Sequence, residues 1–96
     1  MTSIRFSELP GPSTIDHCYE GWRGPALIDL GEGARLRLDA SRNLGWLHLY
    51  APAGGDAFCV EPVSQMPDAF NQAGAPQTIL QPREVLSAWM RLLTSR

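Results

Sequence analysis

The sequence predicts an all-β fold, an antiparallel β-sandwich, and three observations carry that reading. The segment ARLRLDA at 34–40 alternates strictly, with Ala34, Leu36, Leu38 and Ala40 on one face and Arg35, Arg37 and Asp39 on the other. GWLHLYA at 45–51 repeats the alternation, setting Leu47 and Leu49 against Trp46, His48 and Tyr50. Nine glycines and eight prolines in 96 residues divide the chain into short runs, which suits strands joined by turns better than long helices.

Each element follows in chain order within a single domain, 1–96. Residues 1–13 form an irregular entry because Pro10, Gly11 and Pro12 interrupt it, with a short strand around Ile4 to Phe6. TIDHCYE at 14–20 is rich in β-branched and aromatic residues and reads as a strand. GWRG at 21–24 turns the chain, PALIDL at 25–30 returns it, and GEG at 31–33 turns it again. After the two alternating strands, APAGGD breaks the pattern and AFCVE at 57–61 resumes it, with Pro62 expected to end the ladder because it has no N–H to donate. QPREVLSAWMRLL near the C-terminus fits two periods. As a helix starting at Pro82 it aligns Val85, Trp89, Leu92 and Leu93. As a strand it places Leu86, Ala88, Met90 and Leu92 on one face.

Composition narrows the function. Ten acidic and eight basic residues leave a net charge of −2 with no basic stripe to follow a phosphate backbone, so nucleic acid is not an expected partner. Every basic residue is arginine, and the absence of lysine removes Schiff-base chemistry, pyridoxal anchoring and a Walker-type phosphate loop. No segment has the length of a membrane-spanning run or the form of a signal peptide, so no membrane is expected and a cytoplasmic location is. Cys18 and Cys59 lack the close spacings of a zinc site, and both are expected to be buried, reduced thiols; no metal site is expected.

The stretch FCVEPVSQMPDAFN at 58–71 carries the chemical question. Its apolar run ends on a carboxylate, Glu61, followed directly by Pro62. A buried unpaired ion is costly, so Glu61 is either a solvated rim residue or a group with a task.

Taken with DHCYEGWRGPA at 16–26, LHLYAP at 47–52 and LQPREVLSAWMRL at 80–92, this stretch resembles the aldose 1-epimerases, or galactose mutarotases. The resemblance runs from about residue 14 to 93 and corresponds to the last third of a family member. It implies a C-terminal portion of a galactose mutarotase-like β-sandwich that interconverts the α and β anomers of a free hexose without a cofactor. It makes Glu61 the general base and Asp16 a contact to sugar hydroxyls, and it reads the C-terminal segment as the final strand. Where the family carries Pro-Gly-Glu before that strand, this chain has Pro82, Arg83 and Glu84.

Mutarotation needs a base for the anomeric hydroxyl and an acid for the ring oxygen. Desolvation by Phe58 and Val60 would suit Glu61 to carrying a proton near neutral pH. The family's catalytic histidine lies upstream of the DH segment, outside this chain, so the isolated chain is expected to be weak or inactive. His17 and His48 read as packed or surface residues, and Asp16 shares a strand face with Cys18 rather than with His17. Trp22, Trp46, Tyr50 and Phe70 read as core, though each offers a flat face to a sugar. The alternative is a non-catalytic carbohydrate-binding or interaction module. In either case uncovered edges predict self-association or a complementary chain.

Overall fold

A computed structural model describes residues 2–6, 13–54, 57–71 and 79–95. Among them the chain is all-β: seven strands form two sheets in a sandwich-like arrangement, with no α-helix. The strands are β1 (Thr2–Arg5), β2 (Ile15–Glu20), β3 (Ala26–Gly31), β4 (Ala34–Ala40), β5 (Trp46–Ala51), β6 (Cys59–Val63) and β7 (Met90–Ser95). Four of them make one sheet in the order β1-β3-β4-β7, and three make the other in the order β2-β5-β6. Pairing is antiparallel except between β1 and β3, which run parallel with Thr2 opposite Ala26. A parallel pair needs a crossover, and β2 supplies it, because it lies in the other sheet between the two.

The alternation in β4 and β5 decides which faces meet. Leu38 and Ala26 on the four-stranded sheet pack with Leu47 on the three-stranded one, and Trp22, from the turn between β2 and β3, completes this cluster. These four side chains are between 0% and 8% exposed. Burying a side chain the size of leucine contributes about 1.5–3 kcal/mol, so this small cluster carries much of the cohesion between sheets. Backbone bonds anchor the tryptophan: its N–H donates to the Gly45 carbonyl at 2.8 Å. Gly24 lies against the indole with φ 60°, where an added Cβ would stand 3.4 Å from Trp22 Cζ2, so a larger residue would meet both strain and the ring.

Turn chemistry fixes the rest of the register. Glu32 and Gly33 both have positive φ, 54° and 80°, as a two-residue hairpin of the primed type requires. The Gly31 N–H donates to Asp29 Oδ1 at 2.9 Å just before it. Arg83 has φ 71° between Gln81 and Glu84, where the Glu84 N–H donates to the Gln81 carbonyl. That is the third position of a type II turn, ordinarily taken by glycine, so arginine here adopts a backbone conformation that side chains rarely take.

Two strand ends differ from expectation. Pro62 does not stop the ladder: β6 runs through it to Val63, with Pro62 opposite Leu47. The reason is position, since β6 has a neighbour on one side only and a missing N–H is tolerated on an edge strand. The C-terminal segment is a strand, but only from Met90. Upstream, Asn43 Nδ2 donates to the Ser87 carbonyl at 2.7 Å, and Trp89 exchanges bonds with Ser41, so the 41–43 turn replaces a ladder partner once β4 has ended at Ala40. At the N-terminus the strand begins at Thr2 rather than near Ile4. Most of the following irregular entry lies outside the described residues, as does the side chain of Phe70.

Asp39 ties β4 to β7. Its Oδ2 accepts from Arg37 Nε at 3.1 Å and from Arg91 Nη2 at 3.2 Å. The Arg37 hydrogen bond, helped by Arg91 and opposed by partial burial, holds the carboxyl below the ordinary carboxylate range. Because the folded value is depressed, the associated stability is present above about pH 4 and is lost as pH falls through the lowered value. The urea midpoint of the wild type is therefore expected to fall below pH 4 more steeply than that of Asp39→Asn. Parallel pH profiles would refute this.

Candidate acid-base site on the outer face of the three-stranded sheet

In an antiparallel pair, directly opposed residues share a face. The register sets Glu20, Trp46 and Val63 in one row, Cys18, His48 and Glu61 in the next, and Asp16, Tyr50 and Cys59 in a third. All nine project from the side of β2-β5-β6 opposite Leu47, Leu49 and Ala51, which are buried toward the other sheet. The same alternation that fills the core thus collects most of the sheet's reactive side chains on its other face.

His48 is the hub of this face. Its Nε2 lies 2.7 Å from Asp16 Oδ1, a diagonal contact across β2 and β5. The histidine side chain is 17% exposed and the aspartate 62%, so the pair has an inner end held by the sheet and an outer end open to solvent. On the other side His48 stands directly opposite Glu61, with Cα atoms about 4.5–5.5 Å apart in such a pair. Glu61 is exposed, and Val60 points to the opposite face, so the desolvation expected from Phe58 and Val60 is not what surrounds this carboxylate. With Asp16, Glu20 and Glu61 around one histidine, the face is acidic.

Both sequence-derived candidate residues, Asp16 and Glu61, therefore lie on one face, on either side of His48, a residue that sequence reasoning left as packed or surface. What distinguishes His48 is register: the alternation of β5 shows its face, but only strand pairing shows that Asp16 and Glu61 flank it. His17 lies on the other face of β2, edge-on to Tyr19 with ring centroids 4.5 Å apart. The expectation that Asp16 and His17 point apart holds. Of the aromatics, Trp22 is core, whereas Tyr50 is 41% exposed and Trp46 half-buried on the candidate face.

The thiols differ from expectation. Cys59 is exposed and Cys18 half-buried, because both project from the outer face rather than into the core. Burial pushes the Cys18 thiol up from its ordinary range. With β5 between them, their backbones are two strand spacings apart, about 9–10 Å, beyond the span a disulfide bridges. Both are free. Among the described residues no group of three or more His, Cys, Asp or Glu side chains is arranged to hold a metal ion, and no helix is long and apolar enough to cross a membrane.

No protein-family model matches this chain, and no curated protein or solved structure is significantly similar to it.

Proposed function

We infer that this chain is an aldose 1-epimerase-like protein, with a galactose mutarotase-like sandwich, whose outer β2-β5-β6 face opens and recloses the ring of a free hexose by acid-base chemistry. The observation that carries the reading is the convergence of Asp16 and Glu61 about His48 on one solvent-facing surface. Glu61 takes the proton of the anomeric hydroxyl, and Asp16, whose Oδ1 is the oxygen bonded to His48, accepts from a sugar hydroxyl through Oδ2. Tyr50 and Trp46 frame the same face and give a pyranose ring an apolar surface to rest on. No cofactor takes part. The free thiols fit a cytoplasmic setting.

Polarimetry tests this reading. The absence of the family's catalytic histidine leads to an expectation of weak or no activity, but with a histidine standing between Asp16 and Glu61 the expectation changes. Addition of the chain to freshly dissolved α-glucose or α-galactose is expected to accelerate the drift to equilibrium rotation above the buffer rate, and an unchanged drift would refute catalysis. The exposed Tyr50 and neighbouring Trp46 also favour a second reading, a carbohydrate-binding module without the reaction. It predicts quenching or enhancement of tryptophan fluorescence by hexose together with an unaltered drift.

A large apolar surface accompanies this site. Val85, Leu86, Trp89, Met90, Leu92 and Leu93 are all at least 42% exposed, and β7 is an edge strand. Exposed apolar edges recruit further strands. Self-association or docking of a complementary chain along β7 is the proposed consequence. Sedimentation velocity is expected to show a weight-average mass that rises with concentration and falls on Leu92→Lys. A monomer across the micromolar to millimolar range would count against self-association.

A further inference from the structure

The reading above supplies a base but leaves the acid unassigned, and the geometry points to His48 as that acid, with Asp16 as the residue that positions it. This inference rests on the proposed epimerase reading. The anomeric hydroxyl oxygen and the ring oxygen are bonded to the same carbon, so the group that removes a proton from one and the group that protonates the other must stand side by side, a few ångströms apart. His48 and Glu61 do so, as direct cross-strand partners on one face. The histidine is also held: Nε2 is bonded to Asp16 Oδ1 at 2.7 Å, which leaves Nδ1, without a partner among the described residues, as the ring nitrogen to meet a substrate oxygen.

The proton ledger closes with these two groups. Glu61, as carboxylate, accepts the proton of the anomeric hydroxyl. His48, as imidazolium, gives one to the ring oxygen while the bond from that oxygen to the anomeric carbon breaks. The products are the open-chain aldehyde, a protonated Glu61 and a neutral His48. Rotation about the bond to the neighbouring carbon exposes the other carbonyl face, and closure returns both protons to their starting residues. Nothing is oxidised and no co-reactant is consumed. The titratable groups that share this face with His48 on the flanking strands are Asp16, Cys18 and Glu20 from β2 and Cys59 and Glu61 from β6; His17 and Tyr19 of β2 lie on the other face. Its strand neighbours on that face are Trp46 and Tyr50. Among the described residues of the three strands, the side chains that share this face with His48 include three carboxylates and no cation.

The test is the polarimetric rate across pH for the wild type, His48→Gln, Asp16→Asn and Glu61→Gln, with hexose affinity read by tryptophan fluorescence and folding by circular dichroism. His48→Gln is expected to lower the rate about 10²-fold or more with affinity retained, and to remove one limb of the pH profile. Asp16→Asn is expected to displace that limb rather than abolish it, as a positioning residue should. A His48→Gln variant with the wild-type rate and profile, beside an inactive Glu61→Gln, would overturn the role of His48 while leaving the epimerase reading standing. A wild-type chain that does not accelerate mutarotation would remove both. An independent readout is the imidazole ¹⁵N spectrum: hexose is expected to move the His48 Nδ1 signal more than Nε2, and an unmoved Nδ1 contradicts the proposal.

Discussion

Replacing Trp22 with alanine is expected to cost about 3–5 kcal/mol, the ordinary range for deleting a buried large aromatic side chain. Trp22 belongs to neither sheet, yet it packs with Ala26 and Leu38 of one and Leu47 of the other, so the loss falls on the contact between sheets rather than within either. A domain of this size has a total stability on the order of 5–15 kcal/mol, so the variant should lie near the edge of folding. A large drop in urea midpoint is the expected result. Trp89, 55% exposed on the surface near β7, is the matched control, and its replacement should shift stability by no more than about 0.5 kcal/mol. Equal effects at the two positions would show that the cluster is not the core. One detail refines the expectation. Trp22 Nε1 is buried without a hydrogen-bond partner among the described residues, a desolvation cost that opposes its packing. Trp22→Phe removes that donor and keeps most of the ring, so it should be far milder than Trp22→Ala.

The second large effect is chemical. In the proposed mechanism Glu61 accepts the anomeric proton; Glu61→Gln preserves size and shape but cannot do so, and on that proposal the rate is expected to fall about 10²–10⁴-fold. Because Glu61 is exposed on an edge strand, the substitution should leave the urea midpoint within about 0.5 kcal/mol of wild type. Binding should also survive, since Asp16, Tyr50 and Trp46 remain. A variant that loses affinity and rate together would make Glu61 a sugar contact rather than a base.

The fold was legible wherever one strand's own alternation decides which face is buried. Leu38, Leu47 and Leu49 are in the core as their spacing indicates, and Arg35 and Arg37 are exposed. Legibility failed where a neighbour decides. Pro62 continues a strand because β6 happens to be an edge, and 87–89 stays irregular because Ser41 and Asn43 capture its backbone. Neither fact is written in the local pattern. The parallel pairing of β1 with β3 is likewise a product of topology.

The candidate site shows the same division. Motif reading proposes Asp16 and Glu61 as its residues, and alternation places Asp16 on the face opposite His17, as the strand pairing does. The place of His48 was not accessible, because it depends on the register of three strands drawn from residues 15–63. The exposure of Cys18 and Cys59 follows from that register too: small apolar-leaning residues were expected inside, but pairing put them in the acidic outer rows.

Exchange spectroscopy of a free hexose tests most directly whether this face performs acid-base ring opening. Two-dimensional NMR exchange between the α and β anomeric proton signals, recorded at mixing times too short for the uncatalysed reaction, is predicted to show cross-peaks with the wild-type chain and none with Glu61→Gln. Absence of cross-peaks with the wild type, or their persistence in Glu61→Gln, would contradict it.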